Sequence, residues 1–254
     1  MILLLGGTSD AAPIALRLAE AGYRVLVSQA TDVPLEMPVH GNIETRSGPL
    51  NERGLAELID RYGVRAIIDA AHPYAVTVHT VAVQVAAQRG IPCLCFVRPA
   101  AVQPAAPGVE IVADHAAAAE AAFRHGRPVL LTTGTRNLLP YVAQARRTGL
   151  KLTVRVLDHP QSLIACRQAG IAAEEVIAGR GPFSVDDNRR HIRACSAGVL
   201  VTKDSGAAGG TTEKLQASRA EGCDVIVVAR PPAGNWQGFD EVDTLLSALA
   251  ESIT

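Results

Sequence analysis

The residues with the clearest chemical capacity stand at the end of an apolar run. Val199-Leu200-Val201-Thr202 delivers Lys203, Asp204 and Ser205 to a glycine-rich loop, Gly206-Ala207-Ala208-Gly209-Gly210, after which Thr211 and Thr212 open a helix carrying Glu213 and Lys214. A lysine brought by a strand to such a loop can hold a carboxylate or a phosphate, and the neighbouring carboxylate can orient it or move a proton. The loop is not a Walker A loop, because Gly-x-x-x-x-Gly-Lys is absent. The plainer alternative is a surface ion pair between Lys203 and Asp204, worth under about 1 kcal/mol.

A second group lies near the amino terminus. Leu4-Leu5-Gly6-Gly7-Thr8-Ser9-Asp10 joins the first apolar run to the first helical segment, the place where a dinucleotide's pyrophosphate meets backbone N–H groups and a helix dipole. The letters depart from G-x-G-x-x-G, with Thr8 at the second glycine position and Ala11 at the third, so the Thr8 hydroxyl is a candidate phosphate ligand beside Gly6, Gly7 and Ser9. A tight turn with Ser9 as helix cap is the alternative. Ser28-Gln29-Ala30-Thr31 closes the second apolar run with no carboxylate before Asp32. Ser28 and Thr31 there would tolerate a ribose 2'-phosphate that an acid repels, which favours NADP over NAD.

Asp69-Ala70-Ala71-His72-Pro73-Tyr74-Ala75 leaves a third apolar run and displays His72 and Tyr74, both able to donate protons, at a sheet edge. A capping or packing role for His72 explains the segment equally well. Gly179-Arg180-Gly181-Pro182-Phe183-Ser184 reads as a loop ending in a Ser184 cap, with Asp187 at the capping-box position. Arg98-Pro99 and Arg230-Pro231 each leave a guanidinium after a strand, and with Arg136, Arg155 and Arg180 they could line a cleft for a polyanion.

These residues need a scaffold, and the chain supplies one. Of its 254 residues 48% are hydrophobic and only 4% aromatic, which suits parallel sheets of Ala, Val, Leu and Ile covered by helices. Apolar runs at 2–6, 24–28, 66–70, 92–97, 129–132, 152–156, 199–202 and 225–228 alternate with helical segments, with a short strand at 43–46, and the carboxyl end, 241–252, reads as a closing helix. The expected fold is α/β with two Rossmann-like domains and mainly parallel sheets, the active site in the cleft between them. The Pro/Ala-rich stretch 99–108 is the linker candidate, giving domains at 1–107 and 108–254.

A net charge of -1 makes nucleic acid a poor partner. Five cysteines without a CxxC pair suggest neither disulfides nor a zinc site, but reduced thiols of a cytoplasmic protein. No signal peptide or membrane span is evident.

Taken in order, these motifs resemble the precorrin-6A reductase family, including its cobalt-precorrin-6A branch. The matching pieces are Leu4 to Thr8, Asp69 to Ala75, Arg98-Pro99, Thr133-Gly134, Gly181 to Asn188, Thr202 to Gly206, Glu213-Lys214 and Arg230-Pro231, which span nearly the whole chain. Ala71 stands where the family more usually has Thr, and Asp10 where it more usually has Glu. The resemblance implies NADPH as hydride donor to a carbon-carbon double bond of a methylated tetrapyrrole on the route to cobalamin, with no metal. It implies cofactor binding by the first domain and substrate binding by the second. Candidate catalytic residues are then His72, Tyr74, Lys203 and Asp204. Arg98, Thr133, Gly134, Arg180, Ser205, Gly206, Lys214 and Arg230 are candidate contacts to the substrate and its carboxylates. A small-molecule tetrapyrrole is the expected partner; the oligomeric state stays open, a monomer being the working expectation. A non-catalytic NADP-binding regulator is the main alternative. A short-chain dehydrogenase would need Tyr-x-x-x-Lys, which Tyr62, Tyr74 and Tyr141 all lack.

Overall fold

Residues 2–5, Ile-Leu-Leu-Leu, are all buried, as a parallel strand covered on both faces requires. They form β1 (Ile2–Leu5), followed by α1 (Ala11–Glu20), β2 (Val25–Gln29), β3 (Ile43–Ser47), α2 (Glu52–Tyr62), β4 (Ala66–Asp69), α3 (Val76–Arg89) and β5 (Cys93–Phe96). This computed structural model describes residues 1–31, 36–102, 107–232 and 237–253. The linker candidate's residues 103–106, and Asp32, lie outside the described residues.

A second series comprises β6 (Val109–Val112), α4 (His115–Arg124), β7 (Val129–Leu131), α5 (Leu139–Thr148), β8 (Leu152–Val156), α6 (Pro160–Gln168), β9 (Val176–Ala178), α7 (Val185–Ala194), β10 (Val199–Lys203), α8 (Thr211–Ala220) and β11 (Asp224–Val228). The chain ends with β12 (Gln237–Phe239) and α9 (Val242–Ser252). Two six-stranded sheets result, ordered β12-β5-β4-β1-β2-β3 and β6-β11-β10-β7-β8-β9, with every pairing parallel.

The chain divides into two compact units, Met1–Pro99 with Pro231–Thr254, and Ala100–Arg230. The reading of two parallel-sheet domains therefore holds, but the carboxyl end does not stay with the second of them. β12 adds to the edge of β5 in parallel register, Gly238 opposite Cys95, and Leu245 and Leu249 of α9 are buried against Ile14 and Leu18 of α1. The opposite face of that sheet is covered by α2 and α3 through Leu55, Ile59, Ala82 and Val85. In the second unit Ile192 and Ala217 pack on Leu200 and Val225. Among the described residues no helix is long and apolar enough to cross a membrane.

Candidate functional site

In each sheet the strand order runs outward in both directions from a central strand, β1 or β7, so the loops at the carboxyl ends diverge there and leave a ligand crevice. The sequence-predicted residues fall on those loops, one set in each unit.

In the first unit β1 runs into Gly6-Gly7-Thr8. A Cβ on Gly6 would stand 3.0 Å from the Ala11 Cβ and 3.3 Å from Val27 Cγ1, tighter than most real contacts, so a side chain there would push α1 away by a few tenths of an ångström. Gly7 has φ +102°, a conformation that L side chains avoid. Thr8 turns inward and its Oγ1 donates to the Ala70 carbonyl at 3.0 Å, so the hydroxyl offered to phosphate in the sequence reading instead ties this turn to the end of β4. The cap of α1 is Asp10, not Ser9, and its carboxylate makes no capping bond. It pairs with the buried Arg98, which also donates to Ser9 Oγ at 3.2 Å. Arg98 thereby braces the turn from within its own unit.

Ser28 is buried at the end of β2, and its Oγ accepts from Arg46 Nη1 at 2.7 Å. The pairing of β2 with β3 sets Ser28 opposite Arg46, whose guanidinium also donates to the carbonyls of Gly48 and Ser47, each at 2.9 Å. The sequence reading missed Arg46, because its place beside Ser28 appears only once that register is known. Thr31 is exposed.

After β4, Asp69 Oδ1 accepts from the Ala71 amide at 3.0 Å, while Oδ2 lies 2.6 Å from His79 Nδ1. The other nitrogen of His79 lies 3.2 Å from the His72 carbonyl. Both ring nitrogens face acceptors, an arrangement that favours the protonated ring. Burial alone would lower its pKa, but the bond and charge of Asp69, with the His72 carbonyl, outweigh this and hold it above the ordinary value. His79 thus clamps the 70–75 loop from α3. Within that loop His72 Nδ1 accepts from the Tyr74 amide at 3.3 Å, a bond inside the turn, since α3 is capped by Ala75 without a side-chain bond, and the two rings lie 5.6 Å apart. Cys95 places its Sγ within 4.8 Å of the Asp69 and His79 donor atoms. Burial, then Asp69 and Cys93, pushes that thiol up to about 12.

In the second unit Asp204 is buried and saturated. It accepts from the amides of Ala101 at 3.1 Å, Val102 at 3.3 Å and Gly206 at 3.0 Å, and pairs with Arg230 at 3.3 Å. Arg230 Nε also donates to the Asp204 carbonyl at 2.9 Å. Asp204 and Arg230 therefore hold the glycine loop to residues 101–102. The Ser205 amide donates to Thr211 Oγ1 at 3.0 Å, buttressing the same loop. Lys203 is half-buried, with its pKa lowered by burial and then by Arg136. Arg180 is exposed.

The remaining motif residues meet in a cavity of about 220 Å³, lined by Gly134 after β7, Arg155 on β8, Pro182 and Phe183 after β9, and Gly210 and Lys214 at the start of α8. Ser184 caps α7 as read, its Oγ accepting from the Asp187 amide at 3.1 Å while Asp187 Oδ2 accepts from the Ser184 amide at 3.1 Å. That start places Asn188, whose Nδ2 donates to the carbonyls of Phe183 at 3.1 Å and Ser184 at 2.8 Å. Asn188 Oδ1 and His191 Nδ1 both accept from Arg155 Nη1, at 2.7 and 3.2 Å, and the guanidinium carbon stands 4.2 Å over the Phe183 ring centroid. Burial pulls Arg155 down to about 10, opposed by Asp187. It pulls Lys214 down to about 8, with Arg155 lowering it further and Glu213 opposing. Thr133 Oγ1, next to Gly134, is buried with no hydrogen-bond partner among the described residues. Asn188 closes one of the motif pieces without any sign of its partner, and His191 carries no signal in the sequence beyond its helical spacing from the Ser184 cap.

The family described as precorrin-6x reductase CbiJ/CobK matches residues 1–250. A cobalt-precorrin-6A reductase of Priestia megaterium is 31% identical over 250 residues, covering 98% of each chain. A precorrin-6A reductase of Rhodococcus erythropolis is 33% identical over 251 residues, covering 98% of this chain and 96% of its own. The solved structure of CobK precorrin-6A reductase superposes with a TM-score of 0.79 at 28% identity, covering 99% of this chain and 96% of that one. The chain spans its relatives end to end, carries the same fold, and belongs to the precorrin-6x reductase family of enzymes.

Proposed function

We propose that the protein reduces a carbon-carbon double bond of precorrin-6A, giving precorrin-6B on the route to cobalamin, with NADPH as the hydride donor. NADPH binds the Met1–Pro99 unit and the tetrapyrrole binds the Ala100–Arg230 unit. The observation that carries this reading is the turn after β1: Gly6 leaves little room for a side chain, Gly7 holds a positive φ, and Arg98 fastens the turn through Asp10 and Ser9. Such a turn at a helix start offers backbone N–H groups to a pyrophosphate. Arg46, held by Ser28 at the end of the next strand, supplies the cation that a 2'-phosphate needs and an NAD site lacks.

When bound, NADPH supplies the hydride; the protein positions the reactants and provides one proton. His72 Nδ1 accepts the Tyr74 amide hydrogen and so is engaged within the loop. The Tyr74 phenol donates the proton and His72 positions it, on a loop that Asp69 and His79 hold. Lys203 and the exposed Arg180 meet substrate carboxylates. The protein remains in the cytoplasm, acting as a monomer.

The test is an anaerobic absorbance assay of the purified protein with precorrin-6A and either NADPH or NADH, with cobalt-precorrin-6A in a parallel arm. Loss of NADPH absorbance only when the tetrapyrrole is present is expected. Equal use of NADH would refute the 2'-phosphate argument, and reduction of the cobalt form alone would reassign the substrate.

A further inference from the structure

Arg155 and Lys214 are 6% and 9% exposed, yet among the described residues neither has a carboxylate within ion-pairing distance. An isolated buried charge is costly and is normally compensated by an ion of opposite sign. Here the groups touching Arg155 are neutral: Asn188 Oδ1, His191 Nδ1, which must be unprotonated to accept, and the face of Phe183. They aim the guanidinium without neutralising it. Lys214 has only the Gly209 carbonyl, at 3.5 Å. The acidic groups nearby are Asp187, engaged by Ser184 and Arg190, and Glu213, whose buried Oε2 makes no hydrogen bond and which lies beyond ion-pair distance of Lys214.

The cavity that both cations line also takes in Gly210, so the amino end of α8 adds its positive dipole end to the same space. Its volume, about 220 Å³, is below the roughly 300–1,000 Å³ of clefts that enclose whole drug-sized ligands. It suits one arm of a larger molecule.

We infer that this cavity is a carboxylate subsite, in which Arg155 and Lys214 together hold one acidic side arm of the tetrapyrrole and so fix which way round the macrocycle lies. The assignment rests on the reductase reading for the identity of the ligand; the demand for an anion comes from the two uncompensated cations. Arg155 sets the geometry and Lys214 closes on the second oxygen. Because burial and Arg155 bring Lys214 down to about 8, with Glu213 opposing, its hold on the anion weakens as pH rises through that region.

The experiment measures equilibrium binding of precorrin-6A through its visible absorbance, without NADPH, for the wild type, Lys214→Gln and Lys214→Arg. Thermal melts confirm that each variant is folded, and turnover with NADPH is measured separately. Lys214→Gln is expected to weaken tetrapyrrole binding tenfold or more and to remove the loss of affinity above about pH 8, while KM for NADPH stays unchanged. Lys214→Arg should restore most of the affinity. Unchanged binding in Lys214→Gln would overturn the inference while leaving the reductase reading intact. A raised KM for NADPH with unchanged tetrapyrrole affinity would assign the cavity to a cofactor phosphate and overturn it equally. A wild type that neither binds nor reduces the tetrapyrrole would sink the reductase reading itself, and the subsite with it.

Discussion

Asp204 lies in a strand-end motif that invites a catalytic reading, and the structure gives it a different task. Its carboxylate accepts three backbone N–H groups and faces Arg230, at 8% side-chain exposure for the acid and 20% for the arginine. Asp204→Ala would leave three amides without their acceptor and the partly buried Arg230 guanidinium without its carboxylate. Removing one partner of a buried ion pair costs about 3–5 kcal/mol. For a chain of this size that lowers Tm by on the order of 10 °C. Asp204→Asn keeps one acceptor oxygen but loses the charge and adds a second donor facing the Arg230 guanidinium, so roughly 1–3 kcal/mol should go. Thermal and denaturant unfolding, read beside kcat and KM, separate the alternatives. A structural hub predicts a large fall in stability for both variants and substantial residual kcat in whatever fraction remains folded. A variant with wild-type Tm and kcat reduced a thousandfold would refute the argument and return Asp204 to proton transfer.

Other consequences reach the remaining loops. Arg46→Ala should raise KM for NADPH about tenfold or more while changing KM for NADH little, measured in the same tetrapyrrole assay; equal effects on both would remove Arg46 from the 2'-phosphate. Tyr74→Phe should lower kcat by roughly a hundredfold with little change in KM for NADPH, and more than His72→Gln does; the reverse order would make His72 the acid. The pKa of His79 in the fold is raised above the ordinary 6.5, so its contribution to stability is complete below that pH and lost as pH rises through the raised folded value. His79→Gln should flatten that alkaline fall in Tm. His191, lowered by burial and Arg155, acts with the opposite sign, its contribution fading as pH falls, and a wild-type melt alone would mix the two.

Strands buried on both faces were readable because they cannot be anything else: β1 and the first four residues of β10 are continuous apolar or small runs with every residue covered. The edge strands β6, β9 and β12 went unread, being three or four residues long, with partly exposed positions in β6 and β9 and no periodicity to show. The division of the chain failed for a related reason. β12 joins β5 through main-chain hydrogen bonds, which leave no mark on side-chain pattern, so residues 231–254 carry no sign that they return to the first unit. At the site, residue types were legible but their partners were not. Lys203 at a strand end before a glycine loop reads as a candidate partner for an anion, whereas nothing in Asp204 or Arg230 says that they pair with each other. Thr8 reads as a phosphate ligand until the Ala70 carbonyl is seen beside it. Arg46 and His79 required the strand register and the packing of α3, long-range facts that a linear pattern does not contain.

Hydride transfer itself is open to one decisive measurement. NADPH carrying deuterium at both C4 positions of the nicotinamide, incubated anaerobically with the protein and precorrin-6A, should place a single deuterium on a carbon of the product macrocycle, visible by mass spectrometry as one added label with matching loss from the cofactor. Reduced tetrapyrrole carrying no label, or cofactor that keeps its deuterium while the macrocycle is unchanged, would contradict the account.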